Sequence, residues 1–258
     1  MNSFDKFEIE KIVQKSLDHA EHVWGEHGAE LRESVMAKGM ALDSAMQVST
    51  KIPRHELIEP NQEKVSTFIA LVADIRNSSQ HLLCAISEKE AKVSELQRVY
   101  YETSALLPAL ERTIQYEEGS VTEYLGDGLL ALFFVDDDEK ASAIYAAYRA
   151  AKNCINETLS IVNEELHSRY RLPPLQIGIG LGMSPALISL VGLPNDAHPK
   201  AIGRCVYNAT KLSSGKNEIH VDVNLEREWP TTKNGTLRFS AIKMKNVTGY
   251  LVHKKSQG

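Results

Sequence analysis

Two aspartates stand where a charge is poorly placed for a buried structure. Asp74 closes the apolar run "STFIALVAD", Ser66 to Asp74, and Asp127 sits between glycines in "VTEYLGDGLLALFF", Val121 to Phe134. A carboxylate pair at a sheet end supplies the hard oxygen ligands that Mg²⁺ or Mn²⁺ prefers, leaving the other positions to water and substrate phosphate. Two such ions can activate an attacking oxygen and stabilise a leaving one. Gly-Asp-Gly is also good hairpin chemistry in its own right. Asp74 tips the balance, because turn propensity does not explain a second acid at the matching strand end. After Asp74, the stretch "IRNSSQ" offers backbone N–H groups between a strand and a helix, which suit a phosphate. Ser78 and Ser79 in it are phosphate contacts or ordinary N-caps, and the two roles can coexist.

Those residues need elements to hold them. Residues 66–74 are β-rich and nearly continuously apolar, as in a strand covered on both faces. A helix is predicted over 86–117, with Pro108 marking a kink or a boundary. The stretch "SVTEYLGDGLLALFF" reads as two strands joined at Gly126-Asp127-Gly128. A helix rich in Ala and Glu follows over 138–166. "PLQIGIGLG" (Pro174 to Gly182) and "ALISLVG" (Ala186 to Gly192) read as a strand pair, and "CVYNATKLSS" as a short helix. "EIHVDV" and "SAIKMKNVTGYLVH" close the chain as strands. This order, β-α-β-β-α-β-β-α-β-β, defines an α+β domain of ferredoxin-like, palm type, with helices flanking a mainly antiparallel sheet.

Upstream, Phe7, Ile12, Val13, Leu17, Ala20, Val23 and Trp24 recur at helical spacing within residues 4–48, and 49–64 reads as a polar linker. The expected division is a helical extension with its linker over 1–60 and a catalytic domain over 61–258. Pairing of that helix between two copies is the favoured role for the extension.

Composition narrows the partners. Of 258 residues 43% are apolar and 24% charged, an ordinary globular balance. A net charge of −5 gives no basic footprint for nucleic acid. Cys84, Cys154 and Cys205 are scattered and odd in number, which fits a reducing compartment and no metal spacing. The start "MNSFDKFEIE" is no signal peptide, and no apolar run is long enough to cross a bilayer. The expectation is a soluble cytoplasmic protein without a membrane or nucleic-acid partner.

Four segments, "VADIRNSS", "VTEYLGDGLLALFF", "IGIGLGMSPALISLVG" and "AIGRCVYNATKLSS", resemble in this order the signature segments of class III nucleotide cyclases, over roughly residues 66–253. The resemblance implies attack of a ribose 3′-oxygen on the α-phosphate of a nucleoside triphosphate, with release of pyrophosphate. It implies two divalent cations, Mn²⁺ or Mg²⁺, held by Asp74, Asp127 and the backbone carbonyl of Ile75. It also implies a homodimer with two sites, each taking its metals from one chain and its base-reading and transition-state residues from the other.

Base choice in that family rests on the positions of Glu123 and Lys200 here. Lys and Asp there usually mean ATP, and Glu with Cys or another small residue usually means GTP. Glu with Lys matches neither. A carboxylate accepts and an ammonium donates, so the pair suits the N3–H and a carbonyl of uracil, the amino group and ring acceptors of cytosine, or guanine. The family's transition-state Asn and Arg are replaced by Tyr207 and Lys211, with Asn208 one step off their helix face. Lys211 can meet phosphate as a point charge, and Tyr207 or Asn208 can orient the ribose. Arg76, Arg204, Lys243 and Lys245 are further basic candidates for the phosphates.

A small cyclase with a non-purine code is similar to the pyrimidine cyclases of bacterial Pycsar anti-phage defence, whose cyclic UMP or cyclic CMP activates a separate effector. The order of expected substrates is UTP, then CTP, then GTP or ATP. The rival reading is a degenerate cyclase that binds nucleotide and regulates a partner, motivated by the missing Asn and Arg.

Overall fold

A computed structural model describes residues 1–27, 48–59, 63–78, 81, 93–193, 196–231, 235–244 and 246–254. In chain order the elements are α1 (Ser3–His27), β1 (Val48–Ser49), β2 (Leu57–Ile58), β3 (Lys64–Ile75), α2 (Glu95–Gln115), β4 (Ser120–Tyr124) and β5 (Gly128–Phe134). Then come α3 (Lys140–Asn153), a π-helical turn (Cys154–Thr158), α4 (Leu159–Tyr170), β6 (Ile177–Leu193), β7 (Asp196–Gly203) and α5 (Arg204–Leu212). The chain closes with β8 (Glu218–Asp222), α6 (Val223–Arg227), β9 (Leu237–Met244) and β10 (Val247–Lys254).

The main sheet runs β4-β5-β3-β6-β8-β10-β9, with β7 paired to β6. Among the described residues only β6 and β8 run parallel. Within it, β3-α2-β4-β5-α3/α4-β6 is the ferredoxin-like βαββαβ unit, so the α+β, palm-type expectation holds.

Alternation along β3 sorts its side chains to two cores. Ile69, Leu71, Ala73 and Ile75 face the large core beneath α1 to α4. Phe68, Ala70 and Val72 face a smaller one with Ile52, Ile58 and, on α5, Cys205 and Ala209. Burial on both faces explains the unbroken apolar run read from the sequence.

Three expectations need correction. "PLQIGIGLG" and "ALISLVG" are not a strand pair but halves of one strand, β6, whose far half pairs with β7, a strand the sequence reading did not assign. β6 passes through Pro185 for a physical reason. On the edge away from β3, its pairing to β8 ends at Leu181 and its pairing to β7 begins at Ala186. Met183 N–H points into that gap, at 3.3 Å from the Asp222 carboxylate, and by the two-residue period so does the Pro185 nitrogen. A missing N–H costs no ladder bond there.

Second, of the two readings of Pro108 the boundary fails, because α2 runs through it. Third, the stretch read as linker forms the short ribbon of β1 and β2, and Ile52 and Ile58 are buried.

The apolar stripe of α1, Ile9, Val13, Leu17 and Ala20, is fully buried in the large core. Trp24 stacks on Tyr100 at 6.1 Å, and Glu8 accepts from Arg112 and Tyr116 at 2.9 Å each. This stripe is thus spent within the chain, while Phe4 and Phe7 of the same helix stay exposed. Residues 28–47, also expected to be helical, lie outside the described residues.

Candidate active site

Asp74 and Asp127 meet at one corner of the sheet. Asp74 lies opposite Gly128 in the β3–β5 register, and Ile75 N–H donates to the Asp127 carbonyl at 3.4 Å. Gly126, at φ +75°, lets the β4–β5 turn swing Asp127 to this position. Asp74 is 35% exposed and, by alternation, shares the face of the smaller core with α5. Arg76 ion-pairs with the Asp74 carboxylate, and its Nε reaches the Asp74 carbonyl at 3.4 Å. Burial pushes the Arg76 guanidinium below its ordinary range, and the Asp127 charge opposes that.

The donor set suits a small divalent cation. It offers carboxylate oxygens partly open to solvent, and among the described residues no third His, Cys, Asp or Glu converges on them. Mg²⁺ and Mn²⁺ take few protein carboxylates and keep positions for water and phosphate.

Glu123 and Lys200, 77 residues apart, form an ion pair within one chain. Lys200 sits opposite Ser189 on the arm made by β7 and the far half of β6. That arm therefore folds back to β4, and the pair fastens it.

On α5, Lys211 Nζ lies 5.5 Å above the ring of Tyr207, which is 56% exposed. Arg204, at the start of the same helix, is exposed. Asn208 turns the other way, its amide donating to Asp222 at 2.9 Å, so it is committed to the fold rather than free to orient a ribose. Ser78 is half-buried just beyond β3, while Ser79 and Lys245 lie outside the described residues. Lys243 is exposed on β9, four strand spacings from β3, on the order of 19 Å. It does not join the aspartates of its own chain.

α5 is seated by "IGIGLG". Gly178, Gly180 and Gly182 point one face of β6 at the helix, and a Cβ on each would lie 2.1, 2.0 and 2.5 Å from the carbonyl oxygens of Ser213, Ala209 and Cys205. Helix backbone rests directly on strand backbone, which glycine alone permits.

Asp222 was not anticipated. It is 1% exposed, caps α6 by accepting from Leu225 N–H at 2.8 Å, and also takes Met183 N–H and Asn208. Burial raises its carboxyl above the usual range, while the hydrogen bonds from Asn208 and the backbone pull it back. A raised folded-state value means that its contribution to stability is full below the unfolded carboxylate range, about 3.9, and is lost as pH rises through the raised value. The stability of Asp222→Asn relative to wild type should therefore improve from pH 4.5 to pH 7.5 in urea unfolding. A constant difference across that window would show that burial does not govern this carboxyl.

No family model and no curated protein matches the sequence. Solved structures do. The guanylyl cyclase Cya2 superposes with a TM-score of 0.59 at 17% identity, covering 75% of this chain and 95% of that one. The adenylyl cyclase CyaB from P. aeruginosa gives 0.58 at 15% identity, covering 76% and 98%. The guanylate cyclase domain of RhGC from Catenaria anguillulae, solved with GTP, gives 0.52 at 16%, covering 76% and 100%. The fold is that of the class III nucleotide cyclases.

Proposed function

We propose that this chain is a nucleotide cyclase acting as a homodimer, with UTP its preferred substrate. The observation that carries the reading is the convergence of Asp74 and Asp127 at one sheet corner, on a fold shared with guanylyl and adenylyl cyclases. Asp74 and Asp127, with the Ile75 carbonyl, would hold the divalent cations, Mn²⁺ or Mg²⁺. Bound there, such ions supply Lewis-acid polarisation of the α-phosphate and a more acidic 3′-hydroxyl. The chain's own residues do the rest. Asp74 and Asp127 fix where the α-phosphate lies, and Ser78 and Arg76 border it. Lys211 and Arg204 project from α5 toward a neighbouring copy, where their charge opposes the negative charge that grows on the phosphates. Tyr207 stands beside Lys211 as the candidate to align the ribose.

The Glu123–Lys200 pair sets an acceptor beside a donor, the complement of the N3–H and carbonyl of uracil. Cytosine fits the same pair through its amino group, and CTP is the second choice, ahead of GTP and ATP. A second copy is supported by an exposed apolar row across three strands: Val65, its register partner Leu187, and Leu187's partner Ile202. It is supported too by the distance of Lys243 from the aspartates of its own chain. The proposed product would serve as a messenger for a separate effector, as in the pyrimidine cyclases of anti-phage defence that the sequence resembles. A non-catalytic nucleotide-binding module is the second reading, favoured by the commitment of Asn208 to Asp222.

Incubating the purified chain with each of the four triphosphates and Mn²⁺, then separating the products by chromatography, tests this directly. Cyclic UMP with pyrophosphate should dominate. If all four come through unchanged, the module reading replaces the enzyme. Turnover of ATP alone would reject the role given to Glu123 and Lys200.

A further inference from the structure

Arg76 occupies an unusual position for a surface cation. Its backbone N–H is anchored to the Gln176 carbonyl at 2.8 Å, so the residue is fixed just past the end of β3. Its side chain is 15% exposed, less than the 35% of the carboxylate it pairs with. The guanidinium has exchanged most of its water for Asp74, and Asp127 acts on it electrostatically. It thus offsets one of the two negative charges that a divalent cation would otherwise meet in full.

A guanidinium and a divalent ion compete for the same carboxylate oxygens and repel each other. At the effective dielectric near a protein surface, a unit charge beside a doubly charged ion lowers its affinity by about tenfold or more. A triphosphate changes the balance, because its oxygens match the planar fork of arginine better than one carboxylate does. Once the guanidinium turns to phosphate, Asp74 is released to the metal. Reciprocal coupling then makes metal and triphosphate each bind more tightly in the other's presence.

Resting on the reading of Asp74 and Asp127 as metal ligands, we propose that Arg76 is a tethered counter-cation that holds the aspartate pair closed to divalent metal until a triphosphate draws it away. Arg76 then acts on the aspartates before substrate binds and on the triphosphate once it is bound.

The test is Mn²⁺ binding to the nucleotide-free full chain, read from the paramagnetic resonance signal of free Mn²⁺, with thermal unfolding run on every variant. Arg76→Gln should bind Mn²⁺ about tenfold more tightly than wild type. Arg76→Lys, which keeps the charge, should stay close to wild type, and Arg76→Met supplies the charge-free arm if Arg76→Gln does not fold. Asp127→Asn in the Arg76→Gln background should lose the gain. Equal Mn²⁺ affinity of wild type and Arg76→Gln would overturn the counter-cation, as would an Arg76→Lys that binds as tightly as a charge-free variant. If wild type, Arg76→Gln and the double variant all fail to bind Mn²⁺, the metal-site reading beneath the proposal falls instead.

Discussion

Asp127→Asn is expected to lower cyclic-nucleotide production by about a thousandfold, a loss of roughly 4 kcal/mol of transition-state stabilisation, while leaving the protein folded. The fold asks little of the Asp127 side chain. Its backbone carbonyl accepts from Ile75 N–H, and asparagine keeps that bond. Among the described residues its carboxylate takes part in the fold only through the charge of Arg76. Asparagine has nearly the same size and turn preference as aspartate, so the melting temperature should move by only a few degrees. The proposed reaction asks much more, because one of the two proposed carboxylate ligands becomes a neutral amide. Product yield and thermal unfolding should be measured on the same preparation. A folded Asp127→Asn protein with undiminished yield would remove the enzyme reading altogether.

Gly180→Val is expected to be the most damaging single substitution in the sheet. A Cβ at this position meets the Ala209 carbonyl oxygen at 2.0 Å and the Ser213 nitrogen at 2.8 Å. Both are backbone atoms, so no side chain can swing aside. Either α5 lifts from the strand or β6 bends. Overpacking of side chains alone costs about 1–3 kcal/mol, and a clash with helix backbone should exceed that range. This is a large share of the roughly 5–15 kcal/mol that holds a domain folded. Loss of soluble protein, or a melting temperature lowered by about 10 °C or more, is the expected result. Gly25→Ala is the control: nothing lies within 4 Å of a Cβ there, in the exposed flank of α1. It should be neutral or stabilise by about 0.5–1 kcal/mol, as alanine for glycine does within a helix. Similar losses at both positions would mean that the glycine seat of α5 has no special stringency.

What could be read from the sequence was local. The apolar run to Asp74, the Gly-Asp-Gly turn and the short helix from Arg204 each carry their own pattern over a few residues. The place of Asp127 beside Asp74 followed from them, because a hairpin next to the first strand is a consequence of the fold type. What escaped was decided between distant segments. The single strand β6 reads as two, because only the pairing limits of β8 and β7 show that the missing N–H of Pro185 falls in a gap. Nothing local marks Asp222, whose partner Met183 N–H lies 39 residues away. Arg76 was recognised as a basic residue near phosphates, but its pairing with Asp74 is a matter of rotamer, which periodicity does not encode. The stripe of α1 was legible as apolar, and nothing in the stretch said whether its cover would be α2 or a second chain.

The bare contact between α5 and β6 also sets how the helix can move. A helix lying on glycines is stopped from sinking by hard backbone atoms. Its two ends are held as well: Ser184, next along the same face of β6, accepts from Cys205 N–H at 2.8 Å, and His220 meets the Leu212 carbonyl at 2.9 Å. With Asn208 bonded to buried Asp222, the helix is pinned at its start, middle and end, so Tyr207 and Lys211 are carried at a fixed height above the sheet.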